Sequence, residues 1–374
     1  MCIVNGQTIT LSQLATVLPG DAEAESRVTR IRRWLKNPLV DAWALYEPLL
    51  RHVLRDWQGI SVATMSVIVD GTQVFGDRLP HGDVPQVFRL LLAHGNRAIP
   101  LWWVVVSGKG LVKAERLHPM FARVAMFLKP FAHGKRKRVI CLADRGFRDH
   151  DWAQLCQSVG WDYCIRITRN THIRLRNGRT ARLDWLTATL KPGRVLCLNQ
   201  VVLMVQHHFV THVSITRSRG SADTVAERVT VISNQRAHPD RLREYGVRKV
   251  ALRGAMDIEH SFPDDKSGGF DIDHTRLQHP KRLERLERLE RLLLAVAIAT
   301  LWCHELGEFV LQHGDGDTRR RIIDPANTRQ LSLFQLGLRW LKRCLAVMLD
   351  ALPYFRARTQ SRRIQPWQCQ TPSA

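Results

Sequence analysis

Residues 60–70, Ile-Ser-Val-Ala-Thr-Met-Ser-Val-Ile-Val-Asp, decide the fold class. The run is mostly apolar and rich in β-branched residues, which suits a strand covered on both faces. It ends on Asp70. A second run of this kind, VICLADRGF at 139–147, reaches Asp144 in the same way. Between them, VPQVFRLLLAHGNRAIPLWWVVVSG (84–108) reads as a hairpin turning at AHGNRA, and KAERLHPMFARVAMFLKPF (113–131) as a helix with a proline near its start. DHDWAQLCQSVG (149–160) follows as a short helix stopped by glycine, and WDYCIRIT (161–168) as another strand. Strand, hairpin, helix, strand, helix, strand is an α/β order.

Working outward, the character changes twice. Residues 8–58 have helical apolar spacing, with Thr10 placed to cap the first run and the arginines of RVTRIRRWLK beside it. Asn170 to Ser233 holds short strand candidates separated by Asn-Gly, Pro-Gly and Gly-Ser turns, a β-rich insertion. HPDRLREYGVRKVALRGAMDIEHSF (238–262) resumes a helix with Asp240 as its cap. Two more helices are expected, from Pro280 to about Leu311 and over LSLFQLGLRWLKRCLAVMLDAL (331–352), before a basic tail expected to be disordered. Five segments result: a helical N-terminal region (1–60), a first core part (61–169), the β-rich insertion (170–235), a second core part (236–312) and a C-terminal helix with its tail (313–374).

Charge narrows the partner. The 374 residues carry 56 Lys and Arg against 34 Asp and Glu, a net charge of +22. Such an excess favours a polyanion, and its clustering in SRVTRIRRW, HGKRKR, DTRRRI and YFRARTQSRR favours nucleic acid, with duplex DNA the expected partner. Eight scattered cysteines without a CxxC pair argue against a zinc site or a disulfide framework and for reduced thiols of the cytoplasm, near the nucleoid. The N-terminus lacks signal-peptide character, and the longest apolar run, Leu292 to Cys303, is too short to cross a bilayer. No membrane partner is expected.

Three carboxylates carry the chemistry. Asp70 and Asp144 end apolar strands, and Glu259 stands seven residues before Lys266, nearly two helical turns, so both fall on one helix face. Three acids suit Mg²⁺, which takes carboxylate and water oxygens and few protein ligands. Two such ions are expected, with Mn²⁺ as a substitute. Paired divalent ions activate an attacking oxygen and stabilise the leaving one in phosphoryl displacement.

Asp70 in VDGT, Asp144 in LADRGF, the β-rich insertion and IEHSFPDDKSGGF together resemble the DDE transposases of bacterial insertion sequences. More narrowly they are similar to the cut-and-paste family whose third motif reads Tyr-x2-Arg-x3-Glu-x6-Lys. The likeness runs from about Arg32 to about Trp302. It implies an RNase H-like mixed-sheet core with a β-rich insertion, two Mg²⁺ ions, a dimer on DNA, and cleavage and strand transfer at terminal inverted repeats. It further implies Asp70, Asp144 and Glu259 as metal ligands and Lys266 as a phosphate contact. The signature departs from the family in two places. Ala255 and Leu252 occupy the arginine and tyrosine positions, while Tyr245 and Arg248 keep the right mutual spacing seven residues early. Removing KVALRGA would restore the pattern, so a seven-residue insertion separates the two halves and moves Tyr245 and Arg248 roughly 10 Å along a helix axis. Pro263 stands where the family commonly has arginine, and in a continuous helix its ring would clash with the Glu259 carbonyl at about 3 kcal/mol. A DNA-binding copy that no longer cuts, and a nuclease on the same core, are the alternative readings.

Other features read as structural. The turn Ser107-Gly108-Lys109-Gly110 lacks phosphate-loop spacing, and His207 and His208 have no partner at ligand spacing. RLERLERLERL (282–292) reads as a helix supported by local ion pairs. Trp161 and Trp185 could stack on a flipped base but read foremost as core residues. Arg145 reads either as a DNA contact or as charge compensation beside Asp144.

Overall fold

The computed structural model describes residues 3, 9–55, 64–74, 84–94, 97–108, 112–132, 138–188, 190–203, 209–217, 228–244, 282–312, 316–326, 329 and 331–346. The apolar run around Asp70 forms β1 (Thr64–Gln73), and the hairpin expected around AHGNRA forms β2 (Pro85–His94) and β3 (Arg97–Ser107). β4 (Arg138–Ala143) and β5 (Asp162–Arg166) are the next two runs. The β-rich stretch supplies β6 (His172–Arg174), β7 (Thr180–Arg182), β8 (Val195–Leu203), β9 (Phe209–Arg217) and β10 (Arg228–Ser233).

The ten strands among the described residues join one mixed sheet in the order β3-β2-β1-β4-β5-β10-β9-β8-β6-β7. β1, β2 and β3 form an antiparallel meander, β4 and β5 run parallel to β1, and every later pairing is antiparallel. The β-rich stretch is therefore no separate sheet: β10 pairs directly with β5 and extends the first five strands. A buried chain of hydroxyls ties the junction, with Tyr163 Oη 3.0 Å from Thr211 Oγ1, which donates to the Ser233 carbonyl at 3.0 Å. Burial pushes the Tyr163 phenol up to about 12, so this hydroxyl keeps its proton.

Helices cover both faces. α1 (Leu11–Val17), α2 (Ala24–Lys36) and α3 (Ala42–Val53) fill the expected N-terminal helical region. Thr10 stands at the N-cap of α1 but makes no side-chain cap bond; the well-capped helix is α3, where Asp41 accepts from Trp43 and Ala44. α4 (His118–Leu128) and α5 (His150–Ser158) follow as expected, and Gly160 ends the latter at φ 76°. α6 (Leu183–Leu186) is a four-residue helix inside the β-rich stretch that strand patterning alone did not suggest. α7 (Pro239–Glu244) begins before Asp240, which lies in its first turn rather than at its cap, with Oδ2 3.0 Å from His238 Nδ1.

The long α8 (Arg282–Gln312) confirms the expected helix, and Glu284–Arg288 and Glu287–Arg291 pair at 3.2 and 3.6 Å along it. By length and hydropathy alone α8 could cross a bilayer, but 67 % of its most apolar window is buried inside the protein, as expected of a buried helix. Its packing explains why. Glu290 Oε1 accepts the Val105 amide at 3.2 Å and its carbonyl accepts from Trp103 Nε1 at 3.1 Å, so α8 caps the β3 edge of the sheet. α9 (Gly316–Ile323), hidden in the charged DTRRRI run, precedes α10 (Leu333–Ala346). α10 crosses α8 backbone to backbone: a Cβ on Gly337 would lie 1.8 Å from the Cys303 carbonyl oxygen.

Candidate active site

The two described carboxylates meet through strand register. β1 and β4 pair in parallel, with Ile68 opposite Leu142 and Val69 opposite Ala143 as the last pair. Asp70 and Asp144 are the next residues on each chain, and neighbouring strands lie about 4.8 Å apart. Ile68 and Leu142 share one apolar cluster, and just beyond the last pair both acids line one cleft. The apolar runs before each acid thus have a positional role: burial fixes the register, and the register sets the two acids side by side.

Asp70 does not end its strand. β1 continues to Gln73, but its buried stretch ends at Val69, where pairing with β4 also stops. Each carboxylate is oriented by backbone just ahead of it. Asp70 Oδ1 accepts from the Gly71 amide and Asp144 Oδ1 from the Gly146 amide, both at 2.8 Å. Across β2, the register partner of Asp70 is Arg89, which is buried. Its charge also acts on the buried Tyr46 hydroxyl, whose pKa burial raises well above the ordinary value while Arg89 pulls it down.

Both acids line a shallow cleft of about 590 Å³ including its mouth. Thr72, Gln73 and Gln86 line it with polar atoms, and three rings form a wall. Phe88 meets Phe147 edge to face at 6.3 Å, and Phe147 meets Trp152 edge to face at 4.7 Å. The wall touches both acid-bearing segments. A Cβ on Gly71 would stand 2.7 Å from Phe88 Cε1, so only glycine fits beside Asp70 with this ring in place. Phe147 closes the one-turn 3₁₀ helix Arg145–Phe147 that follows Asp144. Sequence reading missed Gly71 and Phe88 as parts of the site and Arg89 as the register partner of Asp70. The one available signal was a glycine within a strand, which marks close approach by another group.

The remaining expected residues divide as follows. Arg145 is exposed on the 3₁₀ turn beside Asp144. Tyr245, Arg248, Glu259 and Lys266 lie outside the described residues, as do Pro263, His207, His208 and the basic tail. The chain leading to Tyr245 leaves α7, whose Leu242 packs in the same cluster as Ile68 and Leu142. An Asn199 side chain accepting from the Ala237 amide at 2.8 Å helps hold that segment on the sheet. Among the described residues, Trp161 is a core residue beside Phe121, but Trp185 is 66 % exposed, which overturns its reading as core.

Among the described residues no three His, Cys, Asp or Glu side chains gather within reach of one ion. The two donors present in the cleft are both carboxylates, with no thiol or imidazole in its lining. That donor set fits a hard, oxygen-seeking cation such as Mg²⁺. No model of a known protein family matches the chain, and no curated protein is significantly similar to it.

Proposed function

We propose that this protein is a DDE transposase of a bacterial insertion sequence, built on an RNase H-like core, that cleaves and joins DNA at terminal inverted repeats. The observation that carries this reading is the register of β1 and β4, which aligns Asp70 with Asp144 at the end of a buried parallel pair. The order β3-β2-β1-β4-β5, a meander followed by two parallel strands, supports an RNase H-like core. So do the sequence motifs VDGT, LADRGF and IEHSFPDDKSGGF and the net charge of +22.

Asp70, Asp144 and Glu259 would hold two Mg²⁺ ions, which when bound supply an activated water or hydroxyl and neutralise charge on the reacting phosphate. The chain's own part is geometric. Paired strands fix the separation of Asp70 and Asp144, and the Gly71 and Gly146 amides orient one oxygen of each. The Phe88–Phe147–Trp152 wall gives the cleft a stiff apolar side against which a nucleotide can be held. Lys266, Tyr245 and Arg248 would contact phosphates near the cut, and Arg145 the backbone beside Asp144. Water attack would nick the transposon end, and the freed 3′-hydroxyl would then attack target DNA. A dimer holding two ends in the cytoplasm completes the proposal.

The seven-residue insertion before Glu259 and Pro263 after it favour a second reading, a DNA-binding copy that no longer cuts. Incubation of the full chain with Mg²⁺ and the inverted-repeat DNA flanking its gene separates the two. Metal-dependent nicking that Asp70→Asn abolishes supports the transposase; specific binding of the repeats without nicking supports the second reading.

A further inference from the structure

We propose that the β6–β7 edge of the sheet is a docking surface for the backbone of duplex DNA, separate from the carboxylate cleft. From Arg169 to Trp185, through the hairpin and the short helix after it, the chain carries five arginines against one carboxylate, Asp184. That acid is already engaged: Arg182 meets it with Nε–Oδ1 at 2.9 Å and Nη2–Oδ2 at 2.5 Å. The excess positive charge is uncompensated within the segment itself.

The hairpin sorts these residues by face. Ile173 is fully buried and pairs with Ala181, so the alternate pairs His172–Arg182 and Arg174–Thr180 take the opposite face. The turn at the tip is rigid. Gly178 sits at φ 82°, its amide donates to the Leu175 carbonyl at 2.9 Å, and the Leu175 amide donates to the Arg179 carbonyl at 2.8 Å. Asn177 Oδ1 also accepts from the Arg179 amide at 3.1 Å. Arg176 and Arg179 are therefore held out on a preorganised tip, exposed, with Arg169 exposed nearby in sequence. Trp185, 66 % exposed, has the Arg182 guanidinium 5.1 Å from its ring centre. A large exposed ring among arginines suits packing on a sugar–phosphate backbone.

Duplex DNA matches this surface better than a single strand. A single-strand platform needs successive aromatic rings on which bases stack. Here one exposed ring stands among many arginines, an arrangement suited to phosphates on either side of a groove. From β4 to β7 the sheet steps across six strand spacings, about 29 Å at most. At 3.4 Å per base pair, the arginine edge would hold duplex about 8 base pairs from a phosphate at Asp144.

The test measures full-chain binding to a labelled scrambled duplex by fluorescence anisotropy across a salt series. R174Q/R176Q/R179Q is expected to weaken binding about 30-fold at about 100 mM salt and to flatten the log–log salt slope by about 2 to 3. The tip-only variant R176Q/R179Q alters only exposed side chains and gives the same sign if the triple variant misfolds. R174K/R176K/R179K is expected to bind within about 3-fold of wild type, because phosphate neutralisation needs charge more than fork geometry. Binding is read without Mg²⁺, where no cleavage occurs, so failure of the cleavage reading leaves this result untouched. A tip variant that folds and keeps the wild-type salt slope would overturn the proposal, as would a loss confined to single-stranded DNA or RNA.

Discussion

The two halves of one sheet hold opposite chemistries under opposite rules. In β1–β5 the acids are few, and their positions follow from buried strands: Ile68 and Leu142, Val69 and Ala143, then Asp70 and Asp144. In β6–β10 the cations are many and lie toward the last strand of the sheet, on a turn and a short hairpin. The first arrangement gives ångström-scale placement, which chemistry on a phosphate needs. The second gives field strength, which holding a polyanion needs and which tolerates looser geometry. The difference extends to the sheet's two ends. At β3 the Glu290 carboxylate and Trp103 fasten α8 over the edge, whereas β7 is the last strand in the sheet order.

This contrast can be broken by substitutions of graded severity. Asp144→Asn should remove Mg²⁺-dependent cleavage by on the order of 10³-fold or more while leaving duplex affinity within about 2-fold, measured on the same preparation. Retained cleavage would mean that register places the acids together without a chemical purpose. Gly71→Ala comes next. Its φ is unremarkable, so the obstacle is the Phe88 ring alone. Displacing that ring moves Asp70, and a shift of about 1 Å costs about 10²-fold in rate. Gly71→Ala/Phe88→Ala should recover much of that loss, with Mn²⁺ binding by calorimetry as the second readout. A double variant no better than the single one would show that the ring does not position the acid.

In the arginine half a single change should matter little. Arg194→Gln should lower duplex affinity only about 5-fold and leave cleavage at saturating DNA unchanged. A loss as large as that of Asp144→Asn would erase the distinction between the halves.

The smallest effect belongs to the capped edge. Burial raises the Glu290 pKa from its ordinary 4.5, with Val105's amide working against that rise. The folded state therefore binds this proton more tightly than the unfolded chain, and Glu290's contribution is greatest below its unfolded pKa. It is lost as pH rises from that value through the raised folded one. Glu290→Gln, which keeps the acceptor for Val105, should flatten that acid-side slope in denaturant unfolding and raise stability slightly near pH 7. A steeper slope would contradict the assigned cause.

Much of this was legible in the chain because buried strands and long helices write their environment into composition. The apolar β-branched runs located β1 and β4, and the three-residue repeat RLERLERLERL with its Glu–Arg pairs located α8. Residues whose meaning depends on a distant partner were not legible. Gly71 looks like any turn glycine until Phe88, seventeen positions away, is seen against it. Arg89 sits in an apolar run with nothing nearby in sequence to place it beside Asp70. Trp185 looked like core because aromatic residues usually are, yet it stands on a four-residue helix too short to bury it. The continuity of the sheet from β5 into β10 was also hidden, since register across seventy residues leaves no local trace.

The central claim is that Asp70 and Asp144 act as one unit. Its most direct test is Mg²⁺-dependent nicking of the flanking inverted-repeat DNA by wild type, D70N, D144N and D70N/D144N. Each single variant should lose essentially all nicking and the double should be no worse, because residues of one site are strongly non-additive. Nicking retained in either single variant, or losses that add in the double, would contradict it.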